Sequence, residues 1–235
     1  MKENGMKRSE RWSRPGLYRH AAGMVTAFAF LALAGTAEAQ QSLKPDMLDR
    51  VAWGAKPALP GMRPHKPYSI IVHHTAVRQN AKTSLAAKLR GLQSFSQSQR
   101  KMSDGRSLPP WPDLPYHYYI GADGTVGEGR DVNFAGDTNT KYDPTGHVQV
   151  VLEGNFEIEQ PTAEQIEALK KVLVWQAARW KVPISTITVH RDHAGTACPG
   201  KNLAALMPKI LHDLDPNYRP AAGKKTKLKK KKEDQ

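Results

Sequence analysis

The 235-residue sequence predicts an α/β fold, a single domain whose central mixed β-sheet is flanked by helices. Three observations predict it. Ser69-Ile70-Ile71-Val72-His73 and Val148–Leu152 are apolar, β-branched runs too short for helices, the pattern of strands buried on both faces. Two longer segments, opening at Thr83 and Thr162, instead carry apolar residues at helical spacing. Finally, from Leu48 to Leu214 no linker is long enough to separate two domains. Helices packed on a mixed sheet bury all of these faces in one core.

The first residues stand apart. Lys2, Lys7, Arg8, Arg11, Arg14 and Arg19 precede the apolar stretch Ala21–Ala34, which is followed by Gly35-Thr36-Ala37-Glu38-Ala39. A basic region, a short apolar run and an A-x-A ending make a signal peptide over residues 1–39, cut after Ala39. The apolar run falls short of the ~20 residues that span a bilayer. No second stretch approaches that length, so no transmembrane span is expected after cleavage. An exported protein, periplasmic or secreted, is the expectation.

Residues 40–47 read as a short leader and 48–216 as the folded domain. Thr83–Gln99 predicts a helix with Leu85, Leu89, Leu92 and Phe95 on one stripe. Ser103–Pro115, with Gly105 and four prolines, reads as loop. Tyr116–Ile120 and Val126–Glu128 flank Gly121-Ala122-Asp123-Gly124 and read as a hairpin. Thr162 and Gln165 have capping-box spacing. The helix they open aligns Ile166, Leu169, Val172, Leu173 and Trp180. Ile184–His190 predicts a last strand, and Leu203–Leu214 a last helix interrupted by Pro208.

Residues 217–235 form a Lys-rich tail without the apolar residues a core needs. Charge concentrates at the two ends. Of the net +13, residues 1–20 hold +4, residues 224–235 hold +5 and Glu38 holds −1, which leaves +5 on residues 40–223. A nearly balanced, exported body argues against nucleic acid as partner. The tail lysines are either a solvated end or an attractor for anionic envelope polymers. A monomer is expected.

Cys198 is the single cysteine, so it makes no internal disulfide. It closes the segment His190-Arg191-Asp192-His193-Ala194-Gly195-Thr196-Ala197-Cys198-Pro199-Gly200, whose first residue ends a predicted strand. His73-His74 ends another. Two imidazoles and one thiolate make a zinc set with a position left for water, the catalytic rather than the structural pattern. An inert core cysteine and a Cys–His nucleophilic pair are the alternatives from these residues alone. Strand alternation sends His73 and His74 to opposite faces, so only one of them can reach a shared ion.

Several landmarks occur in order: Trp53-Gly54-Ala55, Ile71-Val72-His73-His74-Thr75-Ala76, Pro115-Tyr116-His117-Tyr118-Tyr119-Ile120 with Gly124 and Gly129-Arg130, Leu152-Glu153-Gly154-Asn155-Phe156, and His190-Arg191-Asp192. In these the chain resembles the peptidoglycan recognition protein and zinc N-acetylmuramoyl-L-alanine amidase (type 2 amidase) superfamily across nearly all of residues 48–205. The resemblance implies a zinc site in a groove at the sheet edge, with His73, His190 and Cys198 as metal ligands and Tyr116 as the tyrosine that active members require. Members that only recognise peptidoglycan typically lack one of these four. The implied activity is hydrolysis, by metal-activated water, of the amide joining N-acetylmuramic acid to L-alanine. The chain departs from some amidases in having Thr196 where they carry a lysine, and Thr196 is expected to add a hydrogen bond in catalysis.

Val151 occupies the strand position at which a distant branch uses a glutamate. Glu153 is a nearby candidate, more simply read as a rim carboxylate. Substrate contacts are expected from His74, Trp111, His117 and Asn155, with Asn133 as a further candidate. Peptidoglycan or a muropeptide is the expected partner. A non-catalytic recognition protein and a zinc peptidase acting on the stem peptide remain alternatives.

Overall fold

The computed structural model describes residues 43–101, 105 and 107–220. The expected signal peptide and the lysines of the tail lie outside the described residues. Among the described residues there are eight strands and three helices: β1 (Met47–Leu48), β2 (Ser69–His74), α1 (Leu85–Ser96), β3 (Arg100–Lys101), β4 (Ser107–Leu108), β5 (Tyr118–Ile120), β6 (Val126–Glu128), β7 (His147–Leu152), α2 (Ala163–Trp180), β8 (Thr188–Val189) and α3 (Lys201–Leu214). Six strands form one sheet in the order β1-β6-β5-β7-β2-β8. β5 and β6 pair antiparallel and every other neighbour is parallel, the mixed sheet that the sequence predicts.

The two apolar runs become the middle of that sheet. β7 is buried at all six positions and β2 at five of six, because helices or loops cover both faces. On one face Ile70, Val72, Val148, Val150 and Leu152 meet Leu169, Val172 and Leu173 of α2 and Leu203, Met207, Ile210 and Leu211 of α3. On the other face Leu85 and Leu89 of α1 pack with Trp53, Leu114, Tyr119 and Val151. α1 leaves the β2–β8 side of that face open for the site described below.

Local signals set the element ends. The Thr162 hydroxyl accepts the Gln165 N–H, and the Gln165 side chain accepts the Thr162 N–H, which satisfies two free donors at the start of α2. The turn between β5 and β6 places Gly124 at φ 79°, where an added Cβ would lie 2.8 Å from the Glu164 carbonyl oxygen. Only glycine fits there.

Several elements differ from the sequence reading. Met47, the last residue of the expected leader, pairs with Val126 and so starts the sheet. Tyr218, placed in the tail, packs partly buried against the core. Within the expected Ser103–Pro115 loop, Ser107–Leu108 pairs antiparallel with Arg100–Lys101. Ile184–Thr186 is a 3-10 turn, with the Thr186 N–H on the Pro183 carbonyl, and only Thr188–Val189 remains extended. α3 begins at Lys201 and runs through Pro208 without a break. Its four buried side chains hold the helix on the sheet and outweigh the hydrogen bond that proline removes. Phe95 is 60% exposed, while Gln93 and Ser96 of the same helix are buried.

Candidate metal centre

His73 is the fifth residue of β2, on the face opposite Val72, and His190 directly follows β8, the edge strand. Ligands in parallel sheets gather at the carboxyl ends of strands, and both histidines stand at such ends. Cys198 arrives from the following loop. The Arg191 N–H donates to the Cys198 carbonyl at 2.9 Å and closes that loop. The Gly200 N–H donates to the Ala197 carbonyl at 2.7 Å and turns the chain into α3. Gly200 has φ 88°, and a Cβ there would meet the Phe156 carbonyl carbon at 2.4 Å, so glycine is required beside the cysteine.

One donor atom from each of His73, His190 and Cys198 lies within 4.8 Å of the other two, and all three residues are buried. His73 Nδ1 is 3.7 Å from Cys198 Sγ, and the His73 and His190 ring centroids are 4.7 Å apart. Burial holds the His73 imidazole well below its ordinary pKa and pushes His190 down to about 4, with neighbouring histidines adding to both shifts. Both rings are therefore neutral at pH 7, with lone pairs available. Burial pushes the Cys198 thiol up to about 12, so only a cation at the site would draw out its thiolate. A dry set of two imidazole nitrogens and one sulfur fits zinc, and its three protein donors leave a coordination position open.

The donors line a cavity of about 300 Å³ that opens beside a groove of about 610 Å³. Thr75, Trp111, Pro115, Tyr116 and Asn139 line both. The groove also takes its walls from Val77, Leu92 and Phe95, which explains why Phe95 stays exposed on α1. The Tyr116 ring is 5.3 Å from that of His73, and burial raises the pKa of its hydroxyl. It stays a hydrogen-bond donor across the neutral range.

A family model described as N-acetylmuramoyl-L-alanine amidase matches residues 63–201, more than half of the chain. The chain belongs to this amidase family. Peptidoglycan-recognition protein SD of Drosophila simulans is 32% identical over 181 residues, covering 73% of this chain and 89% of that protein. N-acetylmuramoyl-L-alanine amidase of Sus scrofa is 30% identical over 166 residues, covering 68% of this chain and 26% of that larger protein. The crystal structure of Drosophila peptidoglycan recognition protein SD superposes with a TM-score of 0.60 at 26% identity, over 75% of this chain and 98% of that one. The amidase and peptidoglycan-recognition superfamily thus accounts for the fold as well as the sequence.

Within that superfamily fold, the expected site residues divide sharply. Trp111 stands at the junction of cavity and groove, with the Arg100 guanidinium 3.7 Å above its ring. Thr196 lines the metal cavity, and its hydroxyl accepts the Cys198 N–H at 3.2 Å. His74 is also among the residues that line the cavity, and its Nδ1 accepts the Phe156 N–H at 3.2 Å.

His117 is fully buried. Its Nδ1 accepts the Gln149 N–H at 2.8 Å and its Nε2 donates to the Phe134 carbonyl at 3.0 Å, so both nitrogens are occupied by backbone. Neither Asn155, whose Oδ1 accepts the Glu157 N–H at 3.2 Å, nor Asn133, bonded to Asp131, lines the cavity or the groove. Of the expected substrate contacts, Trp111 and His74 line the cavity, whereas His117, Asn133 and Asn155 line neither it nor the groove.

Glu153 is no rim carboxylate. It is 4% exposed at the groove wall and accepts from Lys88 Nζ at 2.8 Å and from the Asn80 and Ala122 N–H groups, each at 2.9 Å. The sequence reading also missed the loop before β7, which brings Asp137, Thr138, Asn139 and Thr140 to the metal cavity.

Proposed function

We propose that the chain is a zinc-dependent amidase that cleaves the amide between N-acetylmuramic acid and L-alanine of peptidoglycan outside the cytoplasmic membrane. The observation that carries this reading is the convergence of His73, His190, Cys198 and Tyr116 on one cavity that opens into a groove. A chain in the crystal structure of tracheal cytotoxin bound to the ectodomain complex of the recognition proteins LCa and LCx resembles this fold with a TM-score of 0.58 at 25% identity. It supports a peptidoglycan fragment as ligand here.

His73, His190 and Cys198 would hold the ion, and a bound zinc would supply Lewis acidity and activate a water at neutral pH. Tyr116 donates its O–H to the oxyanion that develops on the scissile carbonyl, the kind of contact that strengthens only in the transition state. Thr196, already accepting from the Cys198 amide, has its own hydroxyl proton free for the same cavity. Trp111 offers an aromatic wall where the scissile bond passes from groove to metal. The Glu153 carboxylate pairs with Lys88 in the groove wall.

Export follows from the signal peptide. Among the described residues no helix is long and apolar enough to cross a membrane. The Lys-rich tail suits the anionic polymers of the envelope.

The test is hydrolysis of a purified disaccharide-pentapeptide, with zinc and after chelation, by the wild-type chain and by Cys198→Ala. Zinc-dependent cleavage lost in Cys198→Ala supports the reading. Binding of the muropeptide without cleavage in zinc turns the protein into a recognition module of the same fold.

A further inference from the structure

We propose that Thr140 is a positioning residue for the metal centre, holding the His190 imidazole in the tautomer that leaves Nδ1 for the ion. The inference rests on the zinc reading above and adds to it a residue outside the donor set. His190 Nε2 lies 2.8 Å from Thr140 Oγ1. A neutral imidazole has one N–H and one lone pair, and the partner of one nitrogen decides what the other can do. With Nε2–H donated to Thr140, Nδ1 is the nitrogen left to bind a cation.

The hydroxyl is itself held. Thr140 Oγ1 is 2.8 Å from Thr138 Oγ1, which also accepts the Thr140 N–H at 3.1 Å. In the proposed tautomer Thr140 Oγ1 accepts from the imidazole, its own proton goes to Thr138, and the three groups form one directed chain. The loop that carries them is anchored one residue earlier. Asp137 pairs with Arg130, a guanidinium that is 2% exposed and also bonded to the Leu114, Ala135 and Asp113 carbonyls. The Tyr142 ring, 5.2 Å from that of His190, covers another side of the imidazole. Core, loop hydroxyl and ligand are therefore linked in series, the arrangement by which outer groups orient a metal-binding histidine.

The experiment measures zinc affinity of the full chain by competition with a chromophoric chelator, for wild type, Thr140→Val and Thr140→Ser. Valine keeps the shape and removes the acceptor, and zinc binding should weaken about 10- to 100-fold. Serine keeps the acceptor and should restore it. Unfolding midpoints of the metal-free variants should agree with wild type, which separates lost orientation from lost fold. Equal zinc affinity in wild type and Thr140→Val overturns the inference and leaves the amidase reading standing. A wild type that binds no zinc overturns both. Long-range 1H–15N spectra of the His190 ring supply a second readout without a variant: the Nε2–H tautomer is expected, and the Nδ1–H tautomer refutes the proposal.

Discussion

Replacing Tyr116, which lines both cavity and groove, with phenylalanine removes one hydroxyl and leaves the ring in place. The ring keeps its position 5.3 Å from the His73 ring, and no donor atom of the His73, His190, Cys198 set is altered. Zinc affinity and unfolding midpoint should therefore match wild type. Turnover should not. Loss of a single oxyanion donor costs about 10²–10³ in kcat, or roughly 3–4 kcal/mol of transition-state stabilisation. Because the hydroxyl's pKa is raised by burial, it donates at every pH where the enzyme is folded, and the loss should be as large at pH 6 as at pH 8. The assay is kcat and KM on a defined muropeptide, with bound zinc counted for both proteins. Phenylalanine turnover within a few-fold of wild type, at equal zinc content, refutes the role given to Tyr116. A fall confined to KM would make it a substrate contact rather than a transition-state donor.

Three further outcomes follow from the packing. Lys88→Met leaves the Glu153 carboxylate, 4% exposed, with only two backbone donors. The cost should be about 3 kcal/mol in denaturant unfolding, and a loss below the error of the fit would show the ion pair to be dispensable. Gly200→Ala puts a Cβ 2.4 Å from the Phe156 backbone at φ 88°. It should cost about 2–3 kcal/mol and weaken zinc binding, since Cys198 is two residues away; a neutral effect on both would contradict the cramped turn. Burial pushes His117 down to about 3 and His147 and His190 to about 4. In the chelated protein, stability should be full above the unfolded imidazole value near 6.5 and fall with pH below it. His117 alone contributes a loss of about 2 kcal/mol by pH 5, and a midpoint unchanged from pH 7 to 5 would exclude neutral buried imidazoles.

How much of this was legible in the sequence depends on whether the cause is local. The β2 and β7 runs, the Thr162–Gln165 capping box and the β5–β6 turn are written in neighbouring residues, and they fold as read. The residue types marked His73, His74, His190 and Cys198 as chemical, and the family resemblance singled out His73, His190 and Cys198, whose donor atoms do gather in the fold. His117 and Asn155 look equally chemical in sequence, yet distant backbone groups claim both ring nitrogens of His117, and Asn155 sits off the groove. Glu153 was misjudged for the same reason. Its burial depends on Lys88, 65 residues away. Thr140 sits in a polar stretch with nothing to mark it, and 50 residues separate it from His190. Pro208 shows the converse, a strong local signal overruled by four apolar side chains seated on the sheet.

Mass spectrometry of the products from purified disaccharide-peptide and zinc-loaded protein tests the central claim most directly. The account predicts an intact stem peptide with a free L-alanine amine and a disaccharide carrying a free lactyl carboxylate, both absent after chelation. Fragments cut between amino acids of the stem would contradict it and identify a peptidase.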